Sequence, residues 1–306
     1  MKKLFIFFLP FALLAQNDVE VDYVTNSDNS LNFKYVKNIP GTHLVSVKFS
    51  NLSNTLAKDN QSKLLKSTRG SLFKLEPINE LQQIRFRYSY SWFRGNINSK
   101  VNFEYPYILP FKANTSVKPV ELYNIDNVYF KSELAKGWKA YSFSFNENQT
   151  VYSIRKGEVI EIIDNFEVDN SKTFDYYSNI NSITIEHKDG TYATYKGFDK
   201  DKIKVKKGEI VFPQTILGEL SKFDNRNLYR LYLQLYFYRT IDGISLNTIK
   251  SSDDYEIIYL TPKFFQNKKL IELKNNESYV VQFDEKILFS EMKRKEIKKW
   301  KSYNEL

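Results

Sequence analysis

The sequence predicts a mainly β fold, in which an N-terminal antiparallel β-domain precedes a second β-domain and a short C-terminal helix. Aromatic side chains form 16% of the 306 residues, and they favour pleated, half-buried strands over helices. Several segments alternate between apolar and polar residues, as strands with one buried face do. Turn signals that contain glycine separate those segments. The length suffices for two modest domains, and a hydrophobic content of 42% suffices for a core.

The first residues predict an exported protein. Lys2 and Lys3 form a short positive region, residues 4–14 form an apolar run, and Ala15 is a small residue at a plausible cleavage point. This pattern is typical of a secretory signal peptide, here residues 1–15. An uncleaved membrane anchor is the alternative, although the apolar run is short for a bilayer. Since no later stretch is as apolar, we expect no transmembrane segment in the mature chain.

Charge and cysteine content limit the classes of partner and chemistry. The net charge of +9 suits anionic partners such as cell-wall polymers, anionic lipid or nucleic acid. A simpler explanation is that the charge only keeps a soluble protein dispersed. The chain has no cysteine, which excludes a disulfide, a thiol nucleophile, a cysteine zinc site and lipid attachment at a cysteine.

Residues 16–104 are predicted to form the N-terminal antiparallel β-domain. Residues 44–49 and 84–93 alternate, and in the second segment the polar positions share one face. Residues 51–70 are rich in Asn, Ser, Lys and Thr, and this composition predicts a loop. His43 has no second metal ligand near it in sequence, so we expect a structural or surface histidine.

Residues 105–265 are predicted to form the second β-domain. Residues 105–110 contain two prolines and predict an extended connector at the domain boundary. Lys188-Asp189-Gly190 predicts a hairpin turn between two strands, and Lys207-Gly208 predicts another tight turn.

Residues 266–306 are predicted to hold late strands and a basic helix over residues 284–306. The helix has an apolar face that includes Ile287 and Trp300, and a basic face that includes Lys293, Arg294 and Lys295. A solvated helix face explains these charges more simply than a nucleic-acid patch does. We therefore expect no nucleic-acid partner.

Three segments in a fixed order resemble the M23 peptidases of the lysostaphin and LytM type. They are a Gly-x-Val strand from Gly157, the hairpin Ile185-Glu186-His187-Lys188-Asp189-Gly190 with Tyr195 after it, and the turn and strand of residues 205–218. The resemblance covers residues 105–265 and implies the M23-like fold, which is a duplicated hybrid motif. It also implies a zinc endopeptidase that cuts peptidoglycan cross-bridges.

The positions that supply zinc ligands in this family are occupied here by other residues. The His-x-His pair of the last strand corresponds to Tyr232-Leu233-Gln234, and the histidine of the Tyr-x-His segment corresponds to Gly197. The early aspartate aligns with Ser144, and the early histidine falls near Phe130.

His187 is the only histidine of this domain, and in the family its position is often a non-ligand histidine. Residues 221–230 replace the family's glycine-rich loop with a bulkier, more basic segment. The resemblance therefore implies a degenerate cleft without a catalytic residue, metal or cofactor. Its positions are Ser144, His187, Gly197, Tyr232 and Gln234.

The sequence leads to one functional expectation and two alternatives. We expect an exported, catalytically inactive M23-like protein in the periplasm or cell envelope. Its expected role is that of a binding or regulatory module in bacterial cell-wall (peptidoglycan) metabolism. Its expected partner is peptidoglycan or an envelope protein such as a cell-wall hydrolase. One alternative is a divergent metalloendopeptidase with a relocated site, for which Glu186, Asp189 and Asp224 are candidate carboxylates. The other is a structural scaffold of an envelope complex, which a filled groove at Tyr232 and Gln234 would favour.

Overall fold

The fold is mainly β with short helices near the C-terminus, as the sequence predicts. A computed structural model describes residues 18–97, 99–123, 137–167, 180–223, 227–241, 244, 249 and 254–304. The predicted signal peptide, Phe130 and Asp224 lie outside these residues. None of the helices in the described ranges is long and apolar enough to cross a membrane.

The N-terminal unit consists of two three-stranded antiparallel sheets that enclose an aromatic core. Phe33 contacts Phe49, Phe73 and Phe86 within this core, at ring-centroid distances of 5.1 to 5.9 Å. One sheet has the order β1-β2-β5 and contains β1 (Val19–Thr25), β2 (Leu31–Lys37) and β5 (Arg69–Leu75). The other has the order β4-β3-β6 and contains β3 (His43–Ser53), β4 (Asn60–Leu65) and β6 (Arg85–Arg94).

The alternation predicted in this unit is confirmed, whereas the predicted loop at residues 51–70 is wrong. In β6 the residues at Arg85, Arg87, Ser89 and Ser91 are exposed and those between them are partly buried. The supposed loop contains β4, which pairs with β3 from Lys48↔Asn60 to His43↔Leu65. Because β4 is an edge strand in which only Leu65 is buried, its polar composition resembles that of a loop.

A nine-stranded antiparallel sheet forms the centre of the second unit. Seven strands follow the order β15-β12-β13-β14-β18-β10-β9, and β17 and β19 also pair with β18. The strands are β9 (Pro119–Tyr123), β10 (Lys139–Phe145), β12 (Gly157–Ile163), β13 (Ser182–His187), β14 (Thr191–Lys196), β15 (Ile210–Val211), β17 (Lys222–Phe223), β18 (Leu228–Thr240) and β19 (Tyr255–Tyr259).

The two turns predicted in this unit are present. Gly190 ends the turn between β13 and β14 with a φ of 83°, and Gly208 has a φ of 87° in the turn before β15. Both angles lie in the left-handed region that glycine adopts without steric cost.

Three small sheets pack against the central sheet. They are β11 (Thr150–Tyr152) with β16 (Ile216–Glu219), β8 (Ser116–Val117) with β22 (Tyr279–Val280), and β7 (Pro106–Tyr107) with β20 (Lys263–Gln266) and β21 (Lys269–Ile271). Residues 105–110 are therefore extended, but they are not an exposed connector. Tyr105, Tyr107 and Leu109 are buried in the main core, and β7 pairs in parallel with β20.

The C-terminal segment contains two helices instead of the predicted single one. Helix α1 (Glu285–Leu288) begins after Asp284, whose Oδ1 accepts a hydrogen bond from the Ile287 amide at 2.9 Å. Helix α2 (Arg294–Asn304) begins after a break at which Glu296 accepts a hydrogen bond from the Lys293 amide. Trp300 is buried and donates its Nε1–H to the Pro213 carbonyl, so α2 is part of the core.

Candidate functional site

The five predicted cleft residues do not share one face of the central sheet. On β13, Ile183, Ile185 and His187 are on the side of the main apolar core, whereas Thr184 and Glu186 are on the other side. We call this second side the polar face. The residues of the polar face are Ser142, Ser144, Thr184, Glu186, Tyr192, Thr194, Lys196, Arg230, Tyr232, Gln234, Tyr236 and Tyr238.

Tyr232 and Gln234 share the polar face, as alternation predicts, and Ser144 lies on the same face opposite Arg230. Arg230 joins two of them, because its Nε donates to Ser144 Oγ at 3.0 Å and its Nη1 donates to Tyr232 Oη at 3.3 Å. Gln234 lies opposite Thr194 in the pairing of β14 with β18. Only 6% of Tyr232 and 6% of Gln234 is exposed. The face is therefore closed to water at Tyr232 and Gln234, whereas Ser144 is exposed. We call the closed part, at Tyr232 and Gln234, the filled groove.

Arg230 is the residue of this group that the sequence interpretation missed. The sequence comparison predicts a loop over residues 221–230, but β18 begins at Leu228 and Arg230 is 5% exposed within it. Its position in the alternation with Tyr232 and Gln234 was the available signal. A buried guanidinium beside Ser144 and Tyr232 opposes the binding of a divalent cation there, since like charges repel strongly away from water.

Gly197 has a backbone role at the end of β14. Its φ is 121°, its amide donates to the Asn181 carbonyl at 3.0 Å, and its carbonyl accepts from the Ser221 amide at 2.9 Å. A histidine at this position would be strained, because side chains with a Cβ rarely adopt such a φ.

His187 is a core histidine. Its Nδ1 lies 2.9 Å from the Lys156 carbonyl, so Nδ1 carries the proton and Nε2 carries the lone pair. Burial, together with the Arg155 charge, lowers the pKa of His187 to about 3. His187 is therefore neutral at physiological pH and lies on the opposite side of the sheet from Tyr232 and Gln234.

The N-terminal unit covers another part of the polar face. The Thr42 amide donates to Glu186 Oε2 at 2.6 Å, and the Asn96 amide donates to Tyr192 Oη at 3.0 Å. Arg94 forms an ion pair with Glu161 at 2.7 Å. These contacts join the two units around Glu186, and burial raises the pKa of that carboxyl.

Two glycines of the N-terminal unit permit this close approach. A Cβ on Gly41 would lie 2.6 Å from Cγ2 of Ile160, and a Cβ on Gly95 would lie 2.5 Å from the Tyr238 ring. Both glycines have positive φ, at 84° and 118°. Any other residue would therefore combine backbone strain with a steric clash.

Two of the three candidate carboxylates of a relocated site, Asp189 and Glu186, lie in the described residues and have structural partners. Asp189 accepts hydrogen bonds from Arg155 Nη1 at 2.9 Å and from the Thr191 hydroxyl at 2.7 Å. Burial alone would raise the pKa of Asp189, but the Arg155 charge and these hydrogen bonds lower it. Glu186 accepts from Thr42, as described above. The described ranges contain no group of three His, Asp or Glu side chains that could hold a metal ion.

Comparisons of the chain with family models, with curated proteins and with solved structures find no match. The M23 resemblance therefore rests on the ordered motifs from Gly157 to Gly218 and on the strand that carries Tyr232 and Gln234.

Proposed function

We propose that this chain is an exported, non-catalytic M23-like protein that acts as a scaffold in the bacterial envelope. The observation that carries the proposal is the burial of Tyr232 and Gln234 beside the Arg230 guanidinium, which closes this part of the polar face. A hydrolytic zinc needs His or Asp ligands and an open position for water. A buried cation and a filled groove provide neither.

Because the groove at Tyr232 and Gln234 is filled, we favour a scaffold over a protein that binds a ligand at the positions of the M23 active site. The N-terminal unit adds to this argument, because Thr42 and Asn96 hold it on the polar face. A partner would then bind to an outer surface. The partner we propose is an envelope protein such as a cell-wall hydrolase, with peptidoglycan itself as the second possibility.

The outer face of α2 is the surface we assign to that partner. Arg294, Lys295 and Lys298 are exposed there and, with Lys293 just before the helix, form a basic surface suited to an acidic protein face. Deletion of the tail would not test this role cleanly. Trp300 is buried, and Glu296 pairs with Lys156 Nζ at 2.8 Å, so a deletion would disturb the fold as well.

Charge reversal of two exposed lysines tests the proposal without removing the helix. We expect in-cell crosslinking of the mature chain to give one defined envelope partner, and Lys295→Glu with Lys298→Glu to reduce that product by about tenfold. The matched control is Lys58→Glu, an exposed lysine of the N-terminal unit, which should leave the product unchanged. An unchanged product with the double variant, or peptidoglycan cleavage by the purified chain, would contradict the proposal.

A further inference from the structure

A groove of about 410 Å³ lies between α2 and the turns and short strands of residues 204–216. Ile210 of β15, Ile216 of β16 and Trp300 of α2 form apolar parts of its lining, and we call it the isoleucine groove. Three strands, β12, β13 and β14, separate β15 from β18, so this groove is distinct from the filled groove. Its size is in the range of pockets that bind ligands.

Two large apolar side chains contact water in the isoleucine groove. Ile210 is 48% exposed and Ile216 is 47% exposed. Single exposed apolar residues are common on protein surfaces, but a concave surface with several of them is typical of a binding site. Val205 and Phe212 extend the apolar lining. An apolar side chain from another molecule would remove both isoleucines from water, and this burial would stabilise the complex.

Hydrogen bonds within the chain fix the walls of this groove. The Trp300 indole donates to the Pro213 carbonyl at 3.3 Å, which holds α2 against the turn before β16. In that turn the Phe212 amide donates to the Thr215 hydroxyl at 3.0 Å, and the Thr215 amide donates to the Phe212 carbonyl at 2.9 Å. The groove is therefore formed before a partner binds, and less conformational entropy is lost on binding than at a flexible surface.

The rim of the isoleucine groove is basic. Lys204 and Lys299 line the groove and are exposed. Among the described residues Glu209 is the one carboxylate in the lining, and it accepts a hydrogen bond from the Lys206 amide of its own turn at 2.9 Å. Lys299 follows Lys295 by one helical turn, so the groove continues the basic surface of α2. Electrostatic complementarity therefore favours a partner that carries carboxylate groups.

We propose that the isoleucine groove binds an acidic, amphipathic peptide segment of the envelope partner. Apolar side chains of that segment contact Ile210 and Ile216, and flanking carboxylates pair with Lys204 and Lys299. This inference rests on the proposed function, because it names the part of the partner that binds beside α2. An anionic lipid surface also combines apolar groups with negative charge, but it requires apolar side chains that project from the protein. Ile210 and Ile216 are instead half-buried at a concave site.

Fluorescence anisotropy of labelled synthetic peptides with the purified mature chain tests this proposal. Four probe peptides carry two leucines, separated by one, two, three or four residues, in a background of glutamate and serine. Each probe has two control peptides, one with alanine in place of leucine and one with lysine in place of glutamate. We expect at least one probe to bind, and its two controls to bind about tenfold more weakly or not at all. Vesicles of phosphatidylglycerol are the probe for an anionic lipid surface.

Variants of the groove show whether the peptide binds there. We expect Ile216→Ser and Lys204→Glu to weaken binding of the peptide by about tenfold each, and the matched controls Leu56→Ser and Lys58→Glu, at exposed positions of the N-terminal unit, to leave it unchanged. The proposal is wrong if no acidic peptide binds, if the groove variants bind as tightly as the unmodified chain, or if those variants weaken only vesicle binding. A partner whose crosslinking depends on the two α2 lysines would still support the proposed function in each of these cases, so the two failures are distinguishable.

Discussion

Arg155 and Glu291 form a bidentate ion pair across 136 residues of sequence. Arg155 Nε lies 2.9 Å from Glu291 Oε2, and Arg155 Nη2 lies 2.7 Å from Glu291 Oε1. The same guanidinium pairs with Asp189 and stacks on the Tyr105 ring at 3.6 Å from its centre. One side chain therefore links the C-terminal tail, the β13–β14 hairpin and the buried segment that begins the second unit.

Replacement of Arg155 by methionine is expected to destabilise the protein by roughly 3 to 5 kcal/mol. The Arg155 side chain is 2% exposed, and its removal leaves the carboxylates of Asp189 and Glu291 unpaired in a largely buried environment. The measurement is the free energy of unfolding from urea denaturation of the mature chain at neutral pH.

An exposed ion pair provides the control for this variant. Lys74 and Glu76 lie 3.0 Å apart with side chains that are mostly hydrated, so Glu76→Gln should change the free energy of unfolding by less than about 0.5 kcal/mol. Equal effects of Arg155→Met and Glu76→Gln would contradict the structural role of the Arg155 network.

The two histidines are expected to make the protein less stable as the pH falls from about 6.5 towards 4. Burial lowers the pKa of His187 to about 3 and that of His43 to about 4, from an ordinary value of 6.5. In this window the unfolded chain binds protons that the folded chain excludes, so acid favours unfolding. Each histidine should remove about 2 kcal/mol between pH 7 and pH 5.

Removal of both titrating groups isolates this effect. The chain has only two histidines, so His43→Gln with His187→Gln leaves no imidazole, and glutamine can still donate to the Gly41 and Lys156 carbonyls. Urea denaturation of both proteins at pH 7, 6 and 5 is the measurement. A pH dependence in the double variant as steep as that of the unmodified chain would show that other groups cause it.

The contact between the two units should depend on Gly95. Gly95→Ala combines a φ of 118° with a Cβ only 2.5 Å from the Tyr238 ring, and we expect a loss of about 2 kcal/mol or more in the free energy of unfolding. Gly208→Ala is the matched control, because its φ is also positive but its Cβ would lie 3.9 Å from Pro40, in ordinary contact. If both variants lose the same stability, the close approach at Tyr238 does not contribute.

The features that local sequence determines were predictable from the sequence. The alternation of β6 reflects one exposed and one buried face, and the hairpin at Gly190 needs a residue with positive φ. Both signals lie within a few neighbouring residues. Even here, the composition of the polar edge strand β4 predicts a loop, because an edge strand exposes most of its side chains.

The features that join distant segments were not predictable from one sequence. Glu186 meets Thr42 across 144 residues, and nothing near either residue indicates that contact. The burial of Tyr232 and Gln234 was likewise not predictable. Alternation places the two side chains on one face of the strand, but it does not show whether that face is covered. The charge of Arg230 was visible in the sequence, but its position between Ser144 and Tyr232 required the pairing of β10 with β18.

Zinc content measured together with peptidoglycan cleavage tests the central claim most directly. The mature chain would be purified without chelator, incubated with excess zinc, desalted and analysed for metal, and then incubated with purified peptidoglycan. Because Arg230 occupies the polar face beside Tyr232, we predict far less than one zinc ion per chain and no release of soluble peptidoglycan fragments. One zinc ion per chain, with cleavage that stops when the metal is removed, would contradict the account.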